Sequence, residues 1–186
     1  MTALWFAVGA VVVFALALFI SYNRFVSQRN LVDNSWHNID TELRRRYDLI
    51  PNLVEAVRGY ASHERGVFES VTQARTTAMA ATGPASAQEG PERVLVDGLK
   101  RLLAVAESYP DLQASESFLA LQRELIDTED RIQVARRIYN ANVRSLNTRV
   151  QAFPSNLVAR GFGFHESAYF EVEESMRRAQ PPAATV

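Results

Sequence analysis

Apolar and small residues recur at steps of four and three over a long stretch of this chain: Val32, Trp36, Ile39, Leu43, Arg46, Ile50, Leu53, Val57, Tyr60, Glu64, Val67, Val71, Ala74 and Ala78. A strand repeats every two residues, so this spacing is available only to a helix packed lengthwise on other helices. Only Arg46 and Glu64 interrupt the seam. A second seam has the same steps: Phe118, Leu121, Leu125, Thr128, Ile132, Ala135, Tyr139, Asn142, Leu146, Arg149 and Phe153. No segment shows the bounded alternation of a strand. The expected fold class is all-α: an N-terminal transmembrane helix followed by an antiparallel helical bundle with long helices.

Pro51 stands in the middle of the first seam. An interior proline costs a helix about 3 kcal/mol, because it removes one hydrogen bond and crowds the preceding turn. The seam keeps its phase across Pro51, which predicts one continuous helix kinked there, reaching to about Ala78. The Tyr47 carbonyl would then lack its helical donor, and a water or a side chain must supply one. In the rival reading Asp48 caps a new helix and Pro51 sits in its first turn, where proline is tolerated. Beyond, "ATGPASAQEGP" reads as a loop, and Pro91 as the first position of a second helix with Glu92 beside its dipole. That helix presents Val94, Leu95, Leu99, Leu102, Leu103 and Ala106 and stops at Tyr109-Pro110. "DLQAS" is a turn, and Ser115 is a cap for a third helix from about Glu116 to Ala152. Pro154 opens a short fourth helix, which Gly161 and Gly163 end, and "AQPPAATV" reads as a disordered tail. The expected organisation is an anchor over 1–23, a bundle over 24–164 and a partly disordered tail over 165–186.

The anchor is "ALWFAVGAVVVFALALFI", Ala3 to Ile20, with no charged side chain in the first 23 residues. As a helix it is about 27 Å long, close to the roughly 30 Å of a bilayer core. A cleaved signal peptide wants a basic start, a shorter apolar stretch and a small-residue site in a polar setting. Here no Lys or Arg precedes the run, and the Ala15-x-Ala17 pair lies inside it. An uncleaved span is the expectation. Arg24, Arg29 and Arg44 to Arg46 follow it, so the positive-inside rule puts the N-terminus outside and the bundle in the cytoplasm.

Charge and composition exclude several chemistries. Twenty basic residues, all Arg except Lys100, balance 21 acidic ones, which does not favour a nucleic-acid partner. The chain has no cysteine, so disulfides, thiolate catalysis and Cys-ligated zinc are excluded. His63-Glu64 begins like a zinc-protease helix, but Val67 stands where the second histidine belongs. None of His37, His63 and His165 follows a Glu at the spacing of a di-iron bundle. No phosphate-binding or nucleophile motif occurs, so no catalytic residue, metal or cofactor is expected. Arg44 to Arg46 would attract anionic headgroups. They lie about 30 Å of helix beyond the span, however, and Asp40, Asp48 and Glu42 stand at pairing distance along the same helix. Arg46, Glu64, Tyr139, Asn142 and Arg149 would face other helices, with Glu107, Glu129 and Arg136 as partners. A buried polar layer of this kind sets register and pairing.

Several stretches carry a resemblance: "SWHNIDTELRRRYDLIPNLVEAVRGYASHE", "VTQAR", "LLAVAESYPDLQASESFLALQRELIDTEDRIQVARRIYNANVRSLN" and "FPSNLVARGFGF". Together they are similar to the LemA family over nearly the whole chain after residue 25. The resemblance implies a bacterial membrane protein with a cytoplasmic helical bundle and no established reaction. It also implies a link to internal membrane compartments in some relatives, and a membrane metalloprotease as a protein partner. The expected site residues are structural or interaction residues: Arg46, Asn52, His63, Glu64, Arg75, Glu107, Glu129, Arg136, Tyr139 and Asn140, with Pro51 at the kink. The expected function is a non-enzymatic scaffold or interaction module, held in the bilayer through residues 3–20. The alternatives are a membrane-shaping protein that forms homo-oligomers, and an enzyme with an unfamiliar site around His63, Glu64 and Tyr139.

Overall fold

A computed structural model of the chain describes residues 1–171, which leaves the "AQPPAATV" tail outside the described residues. Among the described residues six helices follow in order: α1 Thr2–Arg58, α2 Arg65–Ala80, α3 Ala85–Glu107, α4 Pro110–Gln113, α5 Glu116–Gln151 and α6 Ser155–Phe162. No strand occurs among the described residues. The framework is the antiparallel pair of α1 and α5, with the α2–α3 hairpin against the far half of α1. Arg46 to Glu129, Trp36 to Tyr139 and Phe25 to Arg149 are matched contacts that fix one antiparallel register along this pair.

Helix α1 runs through Pro51 without ending, and Asp48 lies in its interior, so the rival two-helix reading is excluded. Its buried line extends the seam toward the N-terminus: Phe25 is fully buried, and Leu18 and Ser21 are half-buried. The bundle therefore begins to pack on α1 at residues within and just beyond the apolar run. An 18-residue window of α1 has mean hydropathy 2.7 with none of its residues buried, and α1 is long and apolar enough to cross a membrane.

Three expectations need correction. The first seam does not belong to one helix as far as Ala78, because α1 stops at Arg58 and the chain turns back over residues 59–64. Gly59 and Gly66 each weaken a helix by about 1 kcal/mol. Turning back buries Ala61, Phe68, Val71, Ala74 and Ala78 instead. The four–three spacing survives the corner only because both arms bury a face. Second, α3 begins at Ala85 and carries Pro91 inside it. Gly83, with φ +108, and Pro84 make the break. The helix-forming residues after them outweigh one missing N–H, and Ala85 and Gln88 become core. Third, Phe153 is 80% exposed rather than the last residue of the α5 seam, and Val94 is exposed too. Helices α2 and α3 lie very close: a Cβ on Gly98 would come 3.3 Å from Val71 Cγ2, which is why a glycine occupies that place.

Helix α6 ends at Gly163, in the left-handed region at φ 72. Beyond it an extended strap, residues 164–171, returns along α1 and α5. Phe164 stacks on Phe25, and Phe170 meets Trp36 edge to face. Asn147 exchanges two hydrogen bonds with the backbone of Ser167, and Asn140 does the same with Phe170. Two turns apart on α5, the two amides hold the strap as a neighbouring strand would.

Candidate functional site

The centre of the bundle is polar. Arg46 and Tyr47 project from α1, Glu92 from α3 and Glu129 from α5. The Arg46 side chain is 2% exposed and that of Glu92 1%. Arg46 donates from Nη1 to Glu129 Oε1 at 2.7 Å and from Nη2 to Glu92 Oε2. The Tyr47 hydroxyl donates to the other oxygen of Glu92. One buried cation thus ties three helices together. Burial alone would lower the Arg46 pKa, but the two carboxylates reverse this and hold it above its ordinary value. Burial raises the Glu92 carboxyl, against the pull of Arg46 and the Tyr47 hydroxyl. The Tyr47 phenol is raised as well, by burial and then by the Glu92 charge. The cluster joins α1, α3 and α5 through paired charges, while Arg46 Nε is buried without a hydrogen-bond partner.

Pro51 is tied to the same place. The carbonyl of Tyr47, deprived of a donor by Pro51, accepts a 2.6 Å hydrogen bond from Arg75 Nε on α2. A defect in α1 has become an attachment point for α2.

The other expected residues are dispersed. Asn52, His63 and Glu107 are exposed, and Glu64 is half-exposed just before α2. The seam placed Glu64 among other helices, and Glu107 among its partners; both belong to the surface because α1 has already ended and Glu107 lies in the last turn of α3. Glu42 does not pair with Arg46, whereas Arg44 does pair with Asp40, at 2.9 Å. Arg136 is half-buried on α5. The Tyr139 hydroxyl donates to the Ala168 carbonyl, and its ring lies against Trp36. Trp36 and the end of α1 at Arg58 are about 33 Å apart along the helix. Tyr139 therefore forms no cluster with His63 and Glu64. Asn142 bonds Ser35 and the Leu31 carbonyl across the α1–α5 contact.

Sequence reasoning missed Tyr47, Glu92 and Asn147. Glu92 had a signal. It heads the line Glu92, Leu95, Leu99, Leu102, Ala106, which has the same three–four steps and is buried throughout. Beside the cluster, a shallow groove of about 430 Å³ runs between α1 and α5, with Ser35, Asn38, Glu42, Asp130, Val134 and Ile138 in its walls. Among the described residues no three His, Asp or Glu side chains group as metal ligands would.

Fold and site together define a class: an all-α bundle locked by an internal ion cluster, built on a helix long and apolar enough to cross a membrane. The chain belongs to the LemA family, whose model matches residues 35–184. It is similar to magnetosome protein MamQ 2 of Paramagnetospirillum magneticum, 28% identical over 190 residues, covering 89% of this chain and 70% of that relative. Magnetosome protein MamQ of Magnetospirillum gryphiswaldense is 27% identical, over 88% and 70% of the two chains. Protein LemA of Metamycoplasma hominis is 26% identical over 160 residues, 83% and 71% respectively. None of these names states a reaction.

Proposed function

We propose that this protein is a non-enzymatic scaffold, anchored in a bacterial cytoplasmic membrane by residues 3–20 and presenting its helical bundle to protein partners in the cytoplasm. One observation carries the reading: α1 passes from the apolar run into the bundle as one helix, with the packed seam starting at Leu18. A bundle joined to its anchor by a packed helix is held at a fixed attitude to the bilayer, as a scaffold requires. The Arg46–Glu92–Glu129 cluster supports the same reading, because its charged groups pair with one another. Arg24 and Arg29, just after the run, support a cytoplasmic bundle.

The test is crosslinking in intact cells. The chain has no cysteine, so a single cysteine at the exposed groove residue Ile138 gives an unambiguous probe. A discrete adduct with one protein partner, such as a membrane metalloprotease, is the expected result. Adducts between copies of the chain alone would turn the reading toward an oligomer that shapes membrane. An absence of protein adducts at Ile138, and at exposed Arg45 and Met79, would reject the scaffold.

A further inference from the structure

We infer that the α5–α6 corner and α6, residues 153–162, form a second membrane-contacting element that lies on an anionic lipid surface beside the point where α1 leaves the bilayer. The inference rests on the reading of residues 3–20 as a membrane span.

Three observations carry it. The first is level. In the antiparallel register each step forward on α5 is a step back on α1, and Arg149 lies over the Phe25 ring. The end of α5 at Gln151 therefore comes opposite the Tyr22–Arg24 stretch, immediately after the apolar run. At its other end α6 puts the Phe162 ring 5.0 Å from that of Tyr22, two residues beyond Ile20. Both ends of the element thus sit at the depth where the span meets water.

The second is exposure. Val158 and Ala159 face inward, while Phe153, Leu157 and Phe162 are 80%, 59% and 58% exposed. Phe153 and Leu157 stand four residues apart, flanking the start of α6. Large apolar side chains left mostly open to solvent and placed at an interface match the pattern of a helix lying in the headgroup region.

The third is charge. From Arg144 to His165, the part of the chain nearest the membrane exit, there are Arg144, Arg149 and Arg160 and no acidic residue. On α1 no acid precedes Asp33, while Arg24 and Arg29 lie in that stretch. The nearest carboxylate beyond α6 is Glu166, which accepts from Gln151. A basic rim around exposed aromatic and aliphatic side chains fits anionic headgroups over an acyl boundary. It does not fit an acidic protein segment as well, since three large apolar groups would then need a matching apolar partner at the depth of the headgroups.

The test uses the full chain in vesicles of phosphatidylcholine and phosphatidylglycerol. Single cysteines replace Phe153, Leu157, Phe162, Val12 or His63, each carrying an environment-sensitive fluorophore, with lipid spin-labelled near the headgroup as quencher. Positions 153, 157 and 162 should be quenched and blue-shifted, and position 63 neither. Leaving phosphatidylglycerol out, or introducing Arg160→Glu, should reduce quenching at 157. If Val12 is shielded from water by the bilayer while 153, 157 and 162 report an aqueous setting, the inference is overturned and the anchor stands. If Val12 itself reports water, the span reading fails first.

Discussion

Removing the Arg46 side chain should be the most damaging single change in the bundle. Arg46→Met keeps most of the volume and takes away the cation that Glu92 and Glu129 share. Both carboxylates then stand in the interior without their partner. Breaking a buried ion pair from one side costs about 3–5 kcal/mol, because the desolvated charge left behind has lost its compensation. For a domain of this size 1 kcal/mol moves Tm by about 2–4 °C, so the loss should be about 6–20 °C. The assay is thermal unfolding of the full chain in non-ionic detergent, followed by far-ultraviolet circular dichroism. The triple variant Arg46→Met, Glu92→Gln, Glu129→Gln should recover most of the loss, since fully neutral replacements of buried ion clusters are often neutral or stabilising. A single Arg46→Met variant that loses less than about 4 °C would show that the cluster is hydrated and does not hold the three helices in register.

Glu92 adds a pH dependence. Its carboxyl is raised above the ordinary 4.5, so the folded protein keeps this proton to higher pH than the unfolded chain does. The associated stability is fully present below 4.5 and is lost as pH rises through the raised folded value. Glu92→Gln should therefore gain on the wild type in Tm as pH rises across that window; a difference independent of pH would refute the assignment. Pro51→Ala restores an N–H to a carbonyl that Arg75 already satisfies, so it should gain well under the roughly 3 kcal/mol proline penalty. Arg75→Ala should cost about 1.5–3 kcal/mol with Pro51 present and clearly less in the Pro51→Ala background, a coupling that a double-mutant cycle by denaturant unfolding would measure. Asn147→Ala should cost at most about 2 kcal/mol of stability yet speed amide exchange over residues 164–171, and unchanged exchange there would remove the strap's anchor. Glu64→Ala should be neutral in Tm, as expected of a half-exposed residue outside the seam.

Legibility in the sequence follows the length of the periodic pattern. The α5 seam announces its helix almost to the residue, because 36 residues at constant spacing leave no other solution. The same logic fails at Glu64. A four–three pattern reports that a face is buried, and a tight corner between two packed helices can preserve it by chance. Glycines 59 and 66 are the local warning, and the longer pattern hides it. At Pro51 the phase argument yields both the continuous helix and its unsatisfied carbonyl, but not the donor. Arg75 comes from α2, and only the position of the true corner brings it to Tyr47. Glu92 is hidden by Pro91: a proline read as a helix start turns a buried seam position into a first-turn acid. The strap is invisible for a different reason. Asn140 and Asn147 bond backbone, and backbone partners leave no mark in a side-chain pattern.

A scaffold held at a fixed attitude to the bilayer requires one unbroken helix from the anchor into the bundle. That continuity is tested most directly by the distance between spin labels on cysteines replacing Val8, within the apolar run, and Arg44, exposed on the bundle part of α1, with the chain in lipid vesicles. A continuous helix separates these positions by about 54 Å. A single narrow distribution near that length is expected. A broad distribution, or one centred much shorter, would mean that the chain breaks where it leaves the membrane, and it would contradict a bundle held at a fixed attitude to the bilayer.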